Sequence, residues 1–159
     1  MRRKERFEST RPLEEMELKL VQATLADHRL VDAHEEAILR TALSLARLYR
    51  VHHAGHDLGV GAFVAPFRDE IFRRLGPVLL APKIERTQLL PHLKDLKERT
   101  LATRDAVTRR FENRLPAEAI DHELRHKALV MVLGGGGGTG YVYAGAMGLL
   151  DEYGLRPKL

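Results

Sequence analysis

The sequence predicts a mostly α N-terminal region over residues 1–126, followed from residue 127 by the first β-turn-α unit of an α/β domain. Three observations predict it. Apolar residues recur at helical spacing through successive segments, with no strand-like run before Ala128. At Lys127 the composition shifts from charged to apolar and glycine-rich. An apolar run over 128–133, with β-branched Val130 and Val132, then enters consecutive glycines and a helix-like segment over 141–153 that Gly154 closes.

Taken in order, Pro12 suits the first turn of a helix running to about Asp27, with Leu13, Met16, Leu20 and Thr24 on one face. Asp32 followed by Glu35 reads as a capping pair. The helix behind it carries Ile38, Ala42, Leu45 and Tyr49 and is expected to end between His52 and Gly55. Gly59 and Gly61 mark a loop. Phe63, Phe67, Ile71 and Leu75 then form an apolar face whose first reading is core, with a lipid- or partner-facing stripe as the alternative. Gly76, Pro77 and Pro82 break the pattern. A charged helix is expected from Pro91 to about Asn113, touching the core through Leu93, Leu96 and Val107, and Pro116 starts a short one to about His126.

The chain has 159 residues, enough for one domain or for a small domain and part of another. It has no cysteine, which excludes disulfides, zinc–thiolate sites and thiol nucleophiles and suits a cytoplasmic setting. The polar start, residues 1–11, has no apolar core of a secretory signal, and no run is long enough to span a bilayer. The formal net charge is +4, and Arg2, Arg3, Lys4 and Arg6 cluster at the start. Such a cluster suits peripheral contact with anionic lipid or a solvated tail. Basic residues elsewhere alternate with acids, which gives no footprint for nucleic acid.

The chemistry concentrates in the glycine turn. Strand, turn and helix in that order aim a helix N-terminus and unpaired backbone N–H groups at whatever occupies the turn. Glycine is required there because it frees φ and lets a ligand approach closely. The turn is therefore suited to stabilising negative charge. A P-loop would need Lys and Ser or Thr after its last glycine, and Tyr141 follows Gly140 instead. A dinucleotide GxGxxG is formally present as Gly135, Gly137 and Gly140, but its acidic ribose partner would fall near residue 159.

The third reading is an oxyanion hole, and here the sequence resembles the patatin-like phospholipase family. That family opens its catalytic domain with an apolar strand, a GGGxRG-type turn and a helix reading roughly GVLxxLEExGI. Gly135, Gly136 and Gly137 are followed by Gly138, Thr139 and Gly140. Gly145, Ala146 and Met147 stand at the GVL position, and Leu150, Asp151, Glu152, Tyr153, Gly154 and Leu155 at the LEExGI position. Thr139 replaces the usual Arg or Lys, which removes a cationic side chain and leaves the backbone donors. The resemblance covers about 30 residues and implies a three-layer α/β/α domain, truncated after its first unit. It also implies lipid or acyl-ester substrates, serine–aspartate dyad chemistry without a cofactor, and an oxyanion hole at Gly135, Gly136, Gly137, Gly138 and Gly140. The serines present, Ser9 and Ser44, stand outside any Gly-x-Ser-x-Gly setting. The nucleophile is thus expected after residue 159, within about 10 residues, on a strand-to-helix elbow.

Two other clusters bear on metal chemistry. His122, Glu123, Leu124, Arg125 and His126 spell HExxH, in which two His share a helix face and the Glu activates a zinc-bound water. Against a zinc hydrolase stand the charged Arg125 within the motif and the strand expected at once after it; Asp151 and Glu152 are the candidates for a third ligand. The competing expectation is a solvated last helical turn. His52, His53, His56 and Asp57 form the second cluster, read as a helix C-terminus that attracts His through the macrodipole. A non-catalytic helical interaction module is the remaining alternative, and its protein partner is not specified by the sequence.

Overall fold

Helix α2, Ala33–Ala46, is the element on which the other helices assemble. The structure is a computed structural model and describes residues 3–111, 114–125, 148, 149 and 152. Among these residues α1 (Arg3–Ala26) precedes α2, and the strands β1 (Arg50–His53) and β2 (His56–Gly59) follow it. Then come α3 (Gly61–Leu79), α4 (Arg86–Leu93), α5 (Leu96–Phe111) and α6 (Ala117–Arg125). The described part is mostly helical with a small two-stranded antiparallel sheet. The chain divides into two compact units, Met1–Arg125 and His126–Leu159, and every element named belongs to the first. No helix among the described residues is long and apolar enough to cross a membrane.

The start of α2 is fixed locally. The Asp32 carboxylate accepts from the Glu35 N–H at 2.8 Å and the Glu35 carboxylate accepts from the Asp32 N–H at 2.8 Å, the reciprocal pair that the sequence spells. The helix then buries Leu39, Ala42, Leu43, Leu45 and Ala46, a face wide enough to pack on α1, α3, α4, α5 and α6. From α1 come Leu13, Met16 and Leu20, and from α3 Val64, Phe67, Ile71 and Leu75. Each large apolar side chain removed from water contributes about 1.5–3 kcal/mol. Phe63 departs from the expected core stripe. It is 44% exposed and packs edge-on against Phe111, with ring centroids 5.5 Å apart.

The absence of strands before Ala128, expected from the sequence, is corrected by the hairpin. Helix α2 stops at Ala46 instead of running on to His52–Gly55. Ala54 and Gly55 have positive φ, 48° and 76°. That pair of signs marks a two-residue turn whose twist matches the flanking strands. Arg50 pairs with Gly59, Val51 with Leu58, His52 with Asp57 and His53 with His56. Val51 and Leu58 point into the core from one face, which supplies the apolar anchor a two-stranded ribbon needs. Gly55 is thus a turn residue, not the end of a helix.

Prolines and the break in the charged helix also depart from expectation. Pro12 lies inside α1, which begins at Arg3, and Pro66 and Pro77 lie inside α3, so Gly76 and Pro77 do not end it. Each proline withholds the N–H that residue i−4 would accept. For Pro66 and Pro77 those acceptors belong to Ala62 and Arg73, and all four residues are on the exposed side of α3, where water can serve the carbonyls. The expected helix over 91–113 is two helices. Buried Leu89 and Leu93 carry α4 through the exposed Pro91, and the chain turns at Lys94 and Asp95 before α5. Pro116 precedes α6 as expected.

Candidate functional site

Backbone turns and ion pairs determine where the chemically versatile side chains of the helical unit meet. The β1–β2 register sets His52 opposite Asp57, with His52 Nε2 3.5 Å from Asp57 Oδ1. Arg50, on the same face of the ribbon, donates from Nε to Asp57 Oδ1 at 2.7 Å. His53 and His56 face each other on the opposite side. The expected helix C-terminus at these His residues is therefore corrected: His52, His53, His56 and Asp57 belong to the hairpin, and alternate faces of the strands separate His52 from His56.

Helix α6 packs on β1 and brings Glu123 to the same cleft as His52. That cleft holds about 440 Å³ and is also lined by Thr10, Glu14, Arg47 and Tyr49. Its cations already have partners: Arg47 Nη2 lies 2.8 Å from the buried Glu17 carboxylate, and Arg50 is paired with Asp57. Burial lowers the pKa of Arg47, the Coulombic pull of Glu14 opposing it. Opposite charges balance here, so the cleft offers no concentrated charge for a substrate. The two His-containing segments, at His52 and at His122, lie far apart in the sequence. Only the hairpin and its contact with α6 join them.

The glycines expected to carry the chemistry, Gly135, Gly136, Gly137, Gly138 and Gly140, lie outside the described residues, as do Thr139, His126 and Asp151. Of the HExxH segment, His122 and Glu123 are exposed on the last turns of α6. Glu152, the other candidate third ligand, is helical and exposed, and Gly148 and Leu149 are helical too. Among the described residues no three His, Asp, Glu or Cys side chains are grouped to hold a metal ion.

Two charge clusters outside the cleft are structural. Asp95 accepts from Arg74 at 2.6 Å and from Arg99 at 2.6 Å, and those hydrogen bonds hold its carboxyl well below the usual carboxylate range. Arg86 donates to both oxygens of Glu35, at 2.7 and 2.9 Å, and to the Leu30 carbonyl at 2.9 Å. That pairing, with the Asp32 N–H second, lowers the Glu35 pKa. Both clusters join helices across bends in the chain and line no catalytic geometry. Comparison of the chain with known protein families, with curated proteins and with solved structures finds no match.

Proposed function

We propose that the chain is the N-terminal part of a patatin-like lipid acyl hydrolase, a phospholipase or lipase with a three-layer α/β/α catalytic domain opening at residue 127. One observation carries the reading. An apolar run over 128–133 is followed by Gly134, Gly135, Gly136, Gly137 and Gly138, then Thr139 and Gly140. The following segment has Gly145, Ala146 and Met147, and Leu150, Asp151, Glu152, Tyr153, Gly154 and Leu155, at the family's spacing.

The chemistry requires donors more than side chains. A serine oxygen supplied by the rest of the enzyme attacks the acyl carbonyl, its proton passing to the aspartate of the dyad. The carbonyl oxygen becomes negative, and the N–H groups around Gly136, Gly137 and Gly138 stabilise it. The intermediate collapses, the ester C–O bond breaks and the alcohol leaves with the proton returned by the aspartate. Water then attacks the acyl-serine, giving up a proton to the aspartate, and the carboxylic acid departs as the serine regains that proton. Each such donor contributes about 2.7–4 kcal/mol to the transition state. Thr139 leaves that contribution intact, because the donors are main-chain groups. The chain takes part through lipid or acyl ester, with peripheral membrane contact and no cofactor.

The test uses the polypeptide encoded by the whole reading frame that contains residues 1–159. It hydrolyses a chromogenic acyl ester, and Gly137→Pro, which deletes one N–H, lowers kcat on the order of 10²–10³-fold. Purified chain 1–159 alone gives no turnover. A reading frame without Gly-x-Ser-x-Gly after residue 159, or turnover by 1–159 itself, overturns the reading.

A further inference from the structure

Between the C-terminal half of α1 and the linker that follows α3 lies an open cleft of about 430 Å³, within the size range of small-molecule sites. Its α1 wall is one helical stripe, with Lys19 followed by Ala23 and Ala26 at successive turns. Leu30 and Ile84 extend the apolar surface, and Lys83 brings a second ammonium to it from the linker, with the Glu85 carboxylate 3.6 Å from its Nζ, beyond a good hydrogen bond. The Lys19 ammonium donates to the Leu80 carbonyl at 3.0 Å, which ties α1 to the end of α3 and fixes this cation beside the apolar wall. Its nearest carboxylate, Glu15, is 3.9 Å away, beyond a good hydrogen bond. An ammonium has three N–H donors, so capacity remains for an anion. The acid at the cleft, Asp27, accepts from the Arg29 N–H at 3.0 Å.

We infer that this cleft binds a single-chain anionic amphiphile, a medium-chain carboxylate, with its alkyl chain against Ala23, Ala26, Leu30 and Ile84 and its head at Lys19 and Lys83. Two features together select that class. The small side chains Ala23 and Ala26 leave room along the helix for an alkyl chain, which gains by leaving water. Two lysines at the same surface favour a negative head, and the lysine stems themselves add apolar contact. A neutral amphiphile would use only the first feature, and a compact anion only the second. The inference stands on this cleft alone and is independent of the proposed hydrolase.

The experiment is a titration of the 159-residue chain with sodium decanoate below its micellar concentration, followed by calorimetry and by methyl NMR. Decanoate saturates one site and shifts the methyl signals of Ala23, Ala26, Leu30 and Ile84. Decanol and sodium acetate each bind at least ten-fold more weakly. Lys19→Met and Lys83→Met each weaken decanoate and leave decanol unchanged. Ala26→Trp, at an exposed position, fills the cleft and abolishes binding while the unfolding midpoint is kept. Absence of saturable binding overturns the inference, as do equal affinities for decanoate and decanol. Shifts located elsewhere, or full binding by Ala26→Trp, overturn it too. Were Lys19→Met to unfold the chain, the Lys83→Met and Ala26→Trp results decide.

Discussion

The guanidinium carbon of Arg68 on α3 stands 4.1 Å from the centroid of the Tyr49 ring, just after the end of α2. Its Nε donates to the Ala46 carbonyl at 2.7 Å and Nη2 to the Leu48 carbonyl at 3.4 Å. Carbonyls at a helix C-terminus lack intrahelical partners and carry partial negative charge, so a buried cation there meets two needs at once. Burial lowers the Arg68 pKa, the cost that these contacts offset. The same contacts tie α3 to the segment in which the chain leaves α2 and enters β1.

Arg68→Met keeps much of the volume and leaves the Ala46 and Leu48 carbonyls without this donor. Each buried acceptor so orphaned costs about 1–3 kcal/mol. Urea unfolding should show a loss of about 2–4 kcal/mol, with Arg68→Lys intermediate because an ammonium lacks the planar fork. A loss below the error of the measurement would remove Arg68 from its role as a clamp.

Gly61 passes so close to Tyr49 that an added Cβ would lie 2.6 Å from Tyr49 Cδ1 and 3.4 Å from its Cα. The Val60 and Gly61 N–H groups both donate to the Tyr49 carbonyl, at 2.8 and 3.0 Å, which holds the two segments together. The ring cannot swing away freely while Arg68 lies over it. Gly61→Ala is therefore expected to destabilise by about 1–3 kcal/mol, the usual range for overpacking. Combining it with Tyr49→Ala should recover part of the Gly61→Ala loss. Strict additivity of the two substitutions in thermal unfolding would show that the ring is not the obstacle.

Ala54 holds φ at 48°, a region that an L side chain enters at a cost of about 1–2 kcal/mol. Ala54→Asn converts the turn to Asn-Gly, the pair that favours positive φ at both central positions. The expected gain is about 0.5–1 kcal/mol in the unfolding midpoint series. The opposite substitution, Gly55→Val, should destabilise, because φ at that residue is 76°. A midpoint unchanged by both would mean that the hairpin does not contribute to cooperative unfolding.

Acid should weaken the fold through Asp95 and Glu35. Both have folded pKa values below their ordinary ones, Asp95 through Arg74 and Arg99, Glu35 through Arg86. A depressed carboxyl binds its proton later in the folded chain than in the unfolded one. Its stabilising contribution is thus complete above the unfolded pKa, near about 4, and is lost as pH falls through the folded value. Thermal midpoints should be level from neutral pH to about pH 5 and fall below about pH 4. The double variant Asp95→Asn, Glu35→Gln should be less stable at neutral pH and flatter below pH 4. An identical acid slope in both proteins would reject these two carboxylates as the source.

Particular elements show what could be seen in advance. The Asp32–Glu35 cap, the buried face of Leu13, Met16 and Leu20, and the start of α6 after Pro116 were legible because their causes lie within one or two helical turns. The run of glycines at 134–138 and the change of composition at Lys127 are plain in the sequence and lie outside the described residues. The hairpin was not legible: Ala54–Gly55 lacks the Asn-Gly or Asp-Gly signal, and its strands offer Val51 and Leu58 as one inward pair. The cleft shared by His52 and Glu123 was hidden for the same reason, since it depends on α6 packing against β1.

By itself, then, the sequence determined the mostly helical character of the region before residue 126 and its local caps. Tertiary structure decided where α2 stops, that Pro66 and Pro77 remain inside α3, and which distant charges pair. The physical reason is one of range. Caps and periodic faces act between residues a few positions apart, whereas Arg68 reaches Ala46, and Arg86 reaches Glu35, only after the helices between them have packed.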